Sequence, residues 1–213
     1  MVVYVATRNA GKLRELRSIF GSAGWTLATH DNYEDVAEGV RSYAQNAALK
    51  ARALYARLAA EGNPANVLGD DSGLEVAALG GIPGIRSARY GGPRATWSDR
   101  RARLLAELGL RADSERSARF VCTLHFIARD GTETVAAATC DGSIARSERG
   151  LAGFSYDSIF MTADGRTFAE LSEDEKNRTS HRRLAADALL AVLAPTKPYM
   201  ADAKPQARSH GSS

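Results

Sequence analysis

Val2–Gly24 reads VVYVATRNAGKLRELRSIFGSAG. An apolar run, Val2–Ala6, ends at Thr7-Arg8-Asn9-Ala10-Gly11-Lys12. A helical period starts at once over 12–20, with Leu13, Leu16, Ile19 and Phe20 on one face and Gly21 as a stop. A strand that feeds a helix through small polar residues is an opening unit of an α/β fold. It also offers a place for an anion. Thr7 and Asn9 carry side-chain donors, Gly11 admits close backbone approach and Lys12 brings positive charge. The helix N-terminus adds N–H groups and the positive end of its dipole. It is not a Walker A loop: the glycine expected ahead of Gly11 is missing, and Leu13 stands where that loop has a metal-binding Ser or Thr. Taken alone, the stretch describes an ordinary strand–helix turn equally well.

The alternation continues outward. A strand is expected from Trp25 to Ala28, followed by an acidic polar loop. Ser42-Tyr43-Ala44-Gln45 has the form of a capping box. The helix behind it turns Ala44, Ala47, Ala48, Ala51, Leu54, Tyr55 and Leu58 inward. Val67-Leu68 reads as a short buried strand running into Gly69-Asp70-Asp71-Ser72-Gly73, and Gly80-Gly81-Ile82-Pro83-Gly84 as a rigid loop. A helix over about 98–108 precedes a hairpin, with strands 120–128 and 134–140 around Asp130-Gly131. A loop rich in glycine and aromatic residues covers 150–158, and Ile159-Phe160 reads as a short strand. Ser172-Glu173-Asp174-Glu175 is a second capping box, and Ser180–Leu193 a final helix. Residues 195–213 lack periodicity and read as a flexible tail. The expected fold is α/β: one domain over 1–194, a mixed sheet with helices on both faces, split into two lobes by a cleft.

Composition narrows the class. In 213 residues, 44% are hydrophobic and 25% charged, enough apolar content for a core and against wholesale disorder. The net charge of +3 is mild and suits an enzyme for small anions; it does not demand a nucleic acid. Cys122 and Cys140 lie in apolar or small-residue runs without a CxxC pair, so buried thiols are expected rather than a disulfide or zinc site. The N-terminal apolar run is too short for a signal peptide and no run is long enough to span a membrane. A soluble cytoplasmic protein with no membrane partner is expected.

Further residues carry chemistry. Adjacent carboxylates at a strand end, Asp70-Asp71, can hold Mg²⁺ and orient water. Neighbouring strand side chains point to opposite faces, so one of the pair faces the cleft and the other serves a structural bond. The alternative is a plain acidic turn. Lys176 and Ser180-His181-Arg182 can donate to an acceptor-rich base edge, or form a solvated helix start. Phe154 and Tyr156 can stack on a base or pack in the core. His125, Trp25 and Trp97 read as structural, and Arg100-Arg101-Arg103 as a solvated helix face.

In this order, ATRNAGKLREL, NAALKAR, GDDSGLEVAALGGIPGIRSARYGG, GFSYDSIF and EKNRTSHR resemble the inosine triphosphate pyrophosphatase family, over roughly Val2 to Leu193. The long central block is the most specific. The resemblance implies an elongated mixed sheet in two lobes with a central active-site cleft, and a homodimer. It implies Mg²⁺-dependent attack of water between the α- and β-phosphates. Deaminated purine nucleoside triphosphates (ITP, dITP, XTP) would yield the monophosphate and pyrophosphate and so be kept out of nucleic acids. By the same resemblance Thr7, Arg8, Asn9, Ala10, Gly11, Lys12 and Lys50 contact the triphosphate, Lys12 acting in catalysis. Asp71 is the proton acceptor and a metal ligand, with Glu38 as the second metal residue. Ser72 lies in the substrate-binding block. Phe154, Ser155, Tyr156 and Asp157 form the base-stacking loop, and Lys176, His181 and Arg182 the base-recognition set.

Four positions depart from the family pattern. Gln45 stands where Glu is frequent, Ser155 for a glycine, Ser158 for a proline and Arg183 for a glycine. Ser155 matters if that backbone needs positive φ. Rival readings are a pyrophosphatase preferring pyrimidine nucleotides, a nucleic-acid-binding module, and a member that kept the fold but lost efficient turnover.

Overall fold

The strand expected to stop at Leu68 runs from Asn66 to Val76 (β3). Its glycines are not loop signals. A Cβ at Gly69 would lie 2.2 Å from the Ala47 carbonyl oxygen, and one at Gly73 2.3 Å from that of Gly84. Both mark places where other backbone presses on the strand, a use of glycine that sequence punctuation does not distinguish from a turn. Asp70 and Asp71 therefore sit mid-strand, not in an acidic turn.

In this computed structural model, residues 1–31, 33, 34, 36, 42–110 and 116–194 are described. β1 (Val2–Ala6) pairs in parallel with β2 (Thr26–Ala28) and with β3. β4 (Ser117–Ile127), β5 (Glu133–Ile144) and β6 (Phe160–Met161) follow in antiparallel register, giving one six-stranded sheet ordered β2-β1-β3-β4-β5-β6. The helices are α1 (Ala10–Gly21), α2 (Tyr43–Ala60), α3 (Trp97–Gly109), α4 (Glu173–Thr179) and α5 (His181–Leu193). The hairpin strands are longer than expected and the last strand is shifted one residue along.

Alternation along β3 sorts the helices onto two faces. Val67 packs with Ala51, Leu54 and Leu58 of α2. Leu68 packs on the other face with Leu16 and Ile19 of α1 and Ala185 and Leu189 of α5. Further along that second face, Leu74 and Val76 join Leu104 and Leu108 of α3, with Tyr156, Phe160 and Phe168. Two apolar clusters thus occupy the same face in succession, and Asp70 and Ser72 lie between them. The inward stripe of α2 differs from expectation at its start: Ala44 is exposed, while Asn46 and Lys50 are buried with Ala47 and Ala51. Trp25 stacks on Phe20, and buried His125 bonds Glu133, both structural as read. Cys122 is buried, Cys140 half-buried, and both are free thiols. Among the described residues, no helix is long and apolar enough to cross a membrane.

Candidate active site

The phosphate-like turn begins with a cap. Asn9 Oδ1 accepts from the N–H groups of Gly11 (3.0 Å) and Lys12 (3.1 Å), and Thr7 Oγ1 accepts from Asn9 N–H. This starts α1 at Ala10, earlier than periodicity indicated. It also corrects the expectation of free N–H groups there, since two of the helix's N-terminal donors already have an intramolecular acceptor. Gly11 is approached by a side chain: a Cβ on it would lie 2.7 Å from Cδ1 of Phe154.

From Lys12 a chain of alternating charges crosses the cleft. Lys12 Nζ bonds Asp70 Oδ1. Asp70 Oδ2 accepts from Arg182 Nε at 2.8 Å. The Arg182 guanidinium also donates to Glu15 Oε2 and, at 3.0 Å, to Ser72 Oγ. Glu15 Oε1 lies 2.6 Å from Lys176 Nζ, which reaches Asp157 Oδ2 at 2.5 Å. Asp70, Glu15, Asp157, Lys176 and Arg182 are all buried. Three cations and three anions from α1, β3, α4, α5 and the 150–158 loop compensate one another, which is how buried charge becomes tolerable.

The pairing sets the ionisation. Burial pushes the Asp70 carboxyl upward, but Arg182 and Lys12 together hold it far below the usual carboxylate range. Glu15 behaves likewise: burial is outweighed by Arg182 and Lys176, and its value is lowered. At the chain's end Asp157 is raised, because burial, with Glu15 adding to it, exceeds the help from Lys176. Burial, with Arg182 and Lys176 nearby, pushes His181 well down, so its ring is neutral. That ring stacks on Phe120 at 4.6 Å, and its Nδ1 is buried without a partner among the described residues.

The pH dependence follows with a definite sign. Asp70 and Glu15 have native values below their unfolded ones, near 4, so their stabilisation is present above that range and lost on acidification. Asp157 works oppositely, its contribution being lost as pH rises. With two against one, the melting temperature should fall between about pH 5 and pH 3, and less steeply in Glu15→Gln. Circular-dichroism melts check this; an unchanged slope in the variant would remove Glu15 from the linkage.

Asp71 turns to the opposite face of β3. Its Oδ2 accepts from Asn46 Nδ2 at 3.0 Å, and its Oδ1 lies 3.3 Å from Lys50 Nζ. Both partners come from one face of α2, which Ser42 caps by accepting from Gln45 N–H at 3.1 Å. Asn46 Oδ1 is buried and lacks a hydrogen-bond partner among the described residues. A carboxylate beside an uncommitted amide oxygen is a donor set of the kind hard divalent cations take. Among the described residues no three acidic, histidine or cysteine side chains gather, and Glu38 lies outside them.

The 150–158 loop closes the cleft. Asp157 Oδ2 accepts from Phe154 N–H at 2.7 Å, and Tyr156 O–H donates to the Ser87 carbonyl at 3.0 Å. Tyr156 is fully buried, edge-on to Trp97, so it packs in the core rather than standing open for stacking. The Phe154 ring lies 5.0 Å from Lys176 Nζ. Ser155 has φ 61°, the left-handed conformation, so its replacement of a glycine does bear on this backbone. The arginine cluster is not simply solvated. Arg100 is buried and donates to Gly92 and Ala95 carbonyls, and Arg101 donates to the Ser155 carbonyl, while Arg103 is exposed and pairs with Glu107.

Asn9, Lys12, Asp71, Ser72, Phe154, Ser155, Tyr156, Asp157, Lys176, His181 and Arg182 line one cleft. Lys50 reaches it through Asp71. Thr7, Arg8, Ala10 and Gly11 do not line it; Arg8 and Ala10 are exposed, and Gly11 borders a neighbouring hollow behind Phe154. Sequence reading missed Ile85, Ser87 and Trp97 on the far wall, and Glu15 and Asp70 as the counterions of the cleft cations. A carboxylate among Leu16, Ile19 and Phe20 on the buried side of α1 was the available signal for Glu15.

The profile of the Ham1 family matches residues 3–192. The chain belongs to the Ham1 family. A dITP/XTP pyrophosphatase of Streptococcus thermophilus is 43% identical over 197 residues, 90% of this chain and 59% of that protein. One of Geobacillus kaustophilus is 43% identical over 187 residues, 86% of this chain and 89% of that protein. This chain therefore spans little more than half the length of the streptococcal relatives and most of the other. Among solved structures, a Ham1 protein from Coxiella burnetii superposes with TM-score 0.79 at 33% identity, covering 91% of this chain and 98% of that one. A nucleoside-triphosphatase / dITP/XTP pyrophosphatase from Mycobacterium abscessus gives 0.68 at 38%, covering 91% and 100%. The curled mixed sheet flanked by helices is thus the Ham1 architecture.

Proposed function

We propose that this Ham1 protein hydrolyses ITP, dITP and XTP to the nucleoside monophosphate and pyrophosphate. One observation carries the reading: Lys12, Asp71, Phe154 and His181, from distant parts of the chain, line a single cleft. A lysine suited to phosphate, a carboxylate suited to water, a ring suited to stacking and a neutral imidazole suited to a base edge thereby meet in one place. The names of the relatives point the same way.

In this reading Lys12 and Lys50 offset triphosphate charge as it builds on the leaving pyrophosphate. Lys12 exchanges one anionic partner, Asp70, for another. Asp71 takes the proton of the attacking water. Asp71 and the Asn46 amide oxygen are the described residues that would hold Mg²⁺; the family resemblance adds Glu38, which lies outside the described residues. Mg²⁺ bound there supplies charge neutralisation and a lowered pKa for bound water. Phe154 stacks on the base. His181 and Arg182 donate toward the C6 oxo group, where adenine would present an amino group to donors. A mismatch of that kind can discriminate strongly. Three of the five guanidinium N–H donors of Arg182 are engaged with Asp70, Glu15 and Ser72, so donor capacity is left for a base. The family resemblance extends this reading to a homodimer in the cytoplasm.

Pyrophosphate release from ITP, dITP, XTP, GTP, ATP, dTTP and UTP, with Mg²⁺ and with chelator, tests the proposal. Fast metal-dependent release from the first three supports it. Release mainly from dTTP or UTP would replace it with the pyrimidine reading, and release from none would overturn it.

A further inference from the structure

We infer that Arg101 of α3 is a positioning residue for the base-stacking loop, and that it does there what glycine does in the usual family pattern. Ser155 is the one non-glycine residue with positive φ among the described residues. A side chain resists that conformation and glycine does not. Something must therefore hold Ser155 in place. Arg101 Nη1 donates to its carbonyl oxygen at 2.8 Å. The same guanidinium is ion-paired with Glu148, its Nε 2.9 Å from Oε2 but out of line for a hydrogen bond. Glu148 Oε2 in turn accepts from Ser158 Oγ at 3.0 Å. Arg101 thus holds the serine in place of glycine directly and is linked to the serine in place of proline through Glu148.

The grip is buried enough to act. The Arg101 side chain is only 18% exposed. Guanidinium geometry suits it, because a planar fork presents separate nitrogens to the carbonyl and the carboxylate in one pre-organised plane. Its effect passes one residue along the chain. Phe154 N–H is aimed at Asp157, and the Phe154 ring lies against Gly11 and Lys176. If the Ser155 peptide turned to negative φ, that N–H and ring would lose their alignment. Arg101 need not touch substrate; it sets where Phe154 stands before substrate arrives, and preorganisation of this kind lowers the cost of binding.

The test rests on the proposed nucleotide activity for one readout and is independent of it for another. Arg101→Ala is made in the wild-type and in the Ser155→Gly background, with thermal melts confirming that each protein is folded. In the serine background KM for ITP should rise about tenfold, on the scale of the penalty for a side chain in the left-handed region. kcat should change less than about threefold, since the reacting groups are untouched. In the glycine background the same substitution should raise KM less than about twofold, because glycine holds the conformation unaided. Arg101→Lys should fall between. Amide hydrogen exchange across residues 150–158 should accelerate in Arg101→Ala and much less in the double variant. Equal effects in both backgrounds, or none in the first, would overturn the inference. Should the protein turn over no ITP, the exchange comparison alone decides it, and the loss then counts against the proposed substrate and not against Arg101.

Discussion

Asp71→Asn is expected to lower kcat for pyrophosphate release from ITP by about a hundredfold or more, the scale of a lost general base. Asparagine keeps the shape and an acceptor for Asn46 Nδ2, so the bond that now measures 3.0 Å can survive. What disappears is the negative charge and the site for the water's proton. The charge also faces Lys50, buried 3.3 Å away, so a moderate fall in melting temperature should accompany the kinetic loss. Two measurements separate the effects: a thermal melt, and steady-state kinetics well below the melting temperature. A folded variant with near-normal turnover would end the assignment of Asp71 as base. A variant whose activity returned on raising Mg²⁺ would move its role from proton transfer to metal binding.

Arg182→Met should produce a large loss of stability. Arg182 is 2% exposed and links Asp70, Glu15 and Ser72. Removing it leaves two buried carboxylates, each with one remaining cation, Lys12 for Asp70 and Lys176 for Glu15. Breaking a buried ion pair from one side costs about 3–5 kcal/mol, and the surviving partners place this case near the lower end. At roughly 2–4 °C per kcal/mol for a chain of this size, the melting temperature should drop by about 6–12 °C. Arg182→Lys should lose less stability, retaining charge without the fork that reaches three acceptors. A methionine variant melting within about 2 °C of wild type would show that the charge chain contributes little net stability, as some buried ion networks do.

Legibility varied with the range of the interaction. The capping box at Ser172, the cap at Ser42 and the hairpin at Asp130-Gly131 are written in a few consecutive residues, whereas periodicity placed the start of the first helix two residues late. Ser172 closes its box with Glu175, while at Ser42 the bond to Gln45 N–H forms. Opposite facing of Asp70 and Asp71 followed from strand alternation alone and is what the structure contains. The same local reading misjudged Gly69 and Gly73, because what crowds them, the carbonyls of Ala47 and Gly84, comes from elsewhere in the chain. It also left Arg101 on a solvated helix face, since its carbonyl partner at Ser155 lies in a different element.

The sequence by itself determined the periods of its strands and helices, the caps that start them, and the order of motifs that marks a Ham1 protein. These are properties of neighbours along the chain, governed by backbone hydrogen bonding and side-chain alternation. Only the tertiary structure decided which charges meet. Lys12, Asp70, Arg182, Glu15, Lys176 and Asp157 are scattered from the first helix to the last, yet each sits against an opposite charge, and all but half-buried Lys12 are buried. Charge compensation in a low-dielectric interior depends on distances across the fold, and spacing along a chain does not encode those.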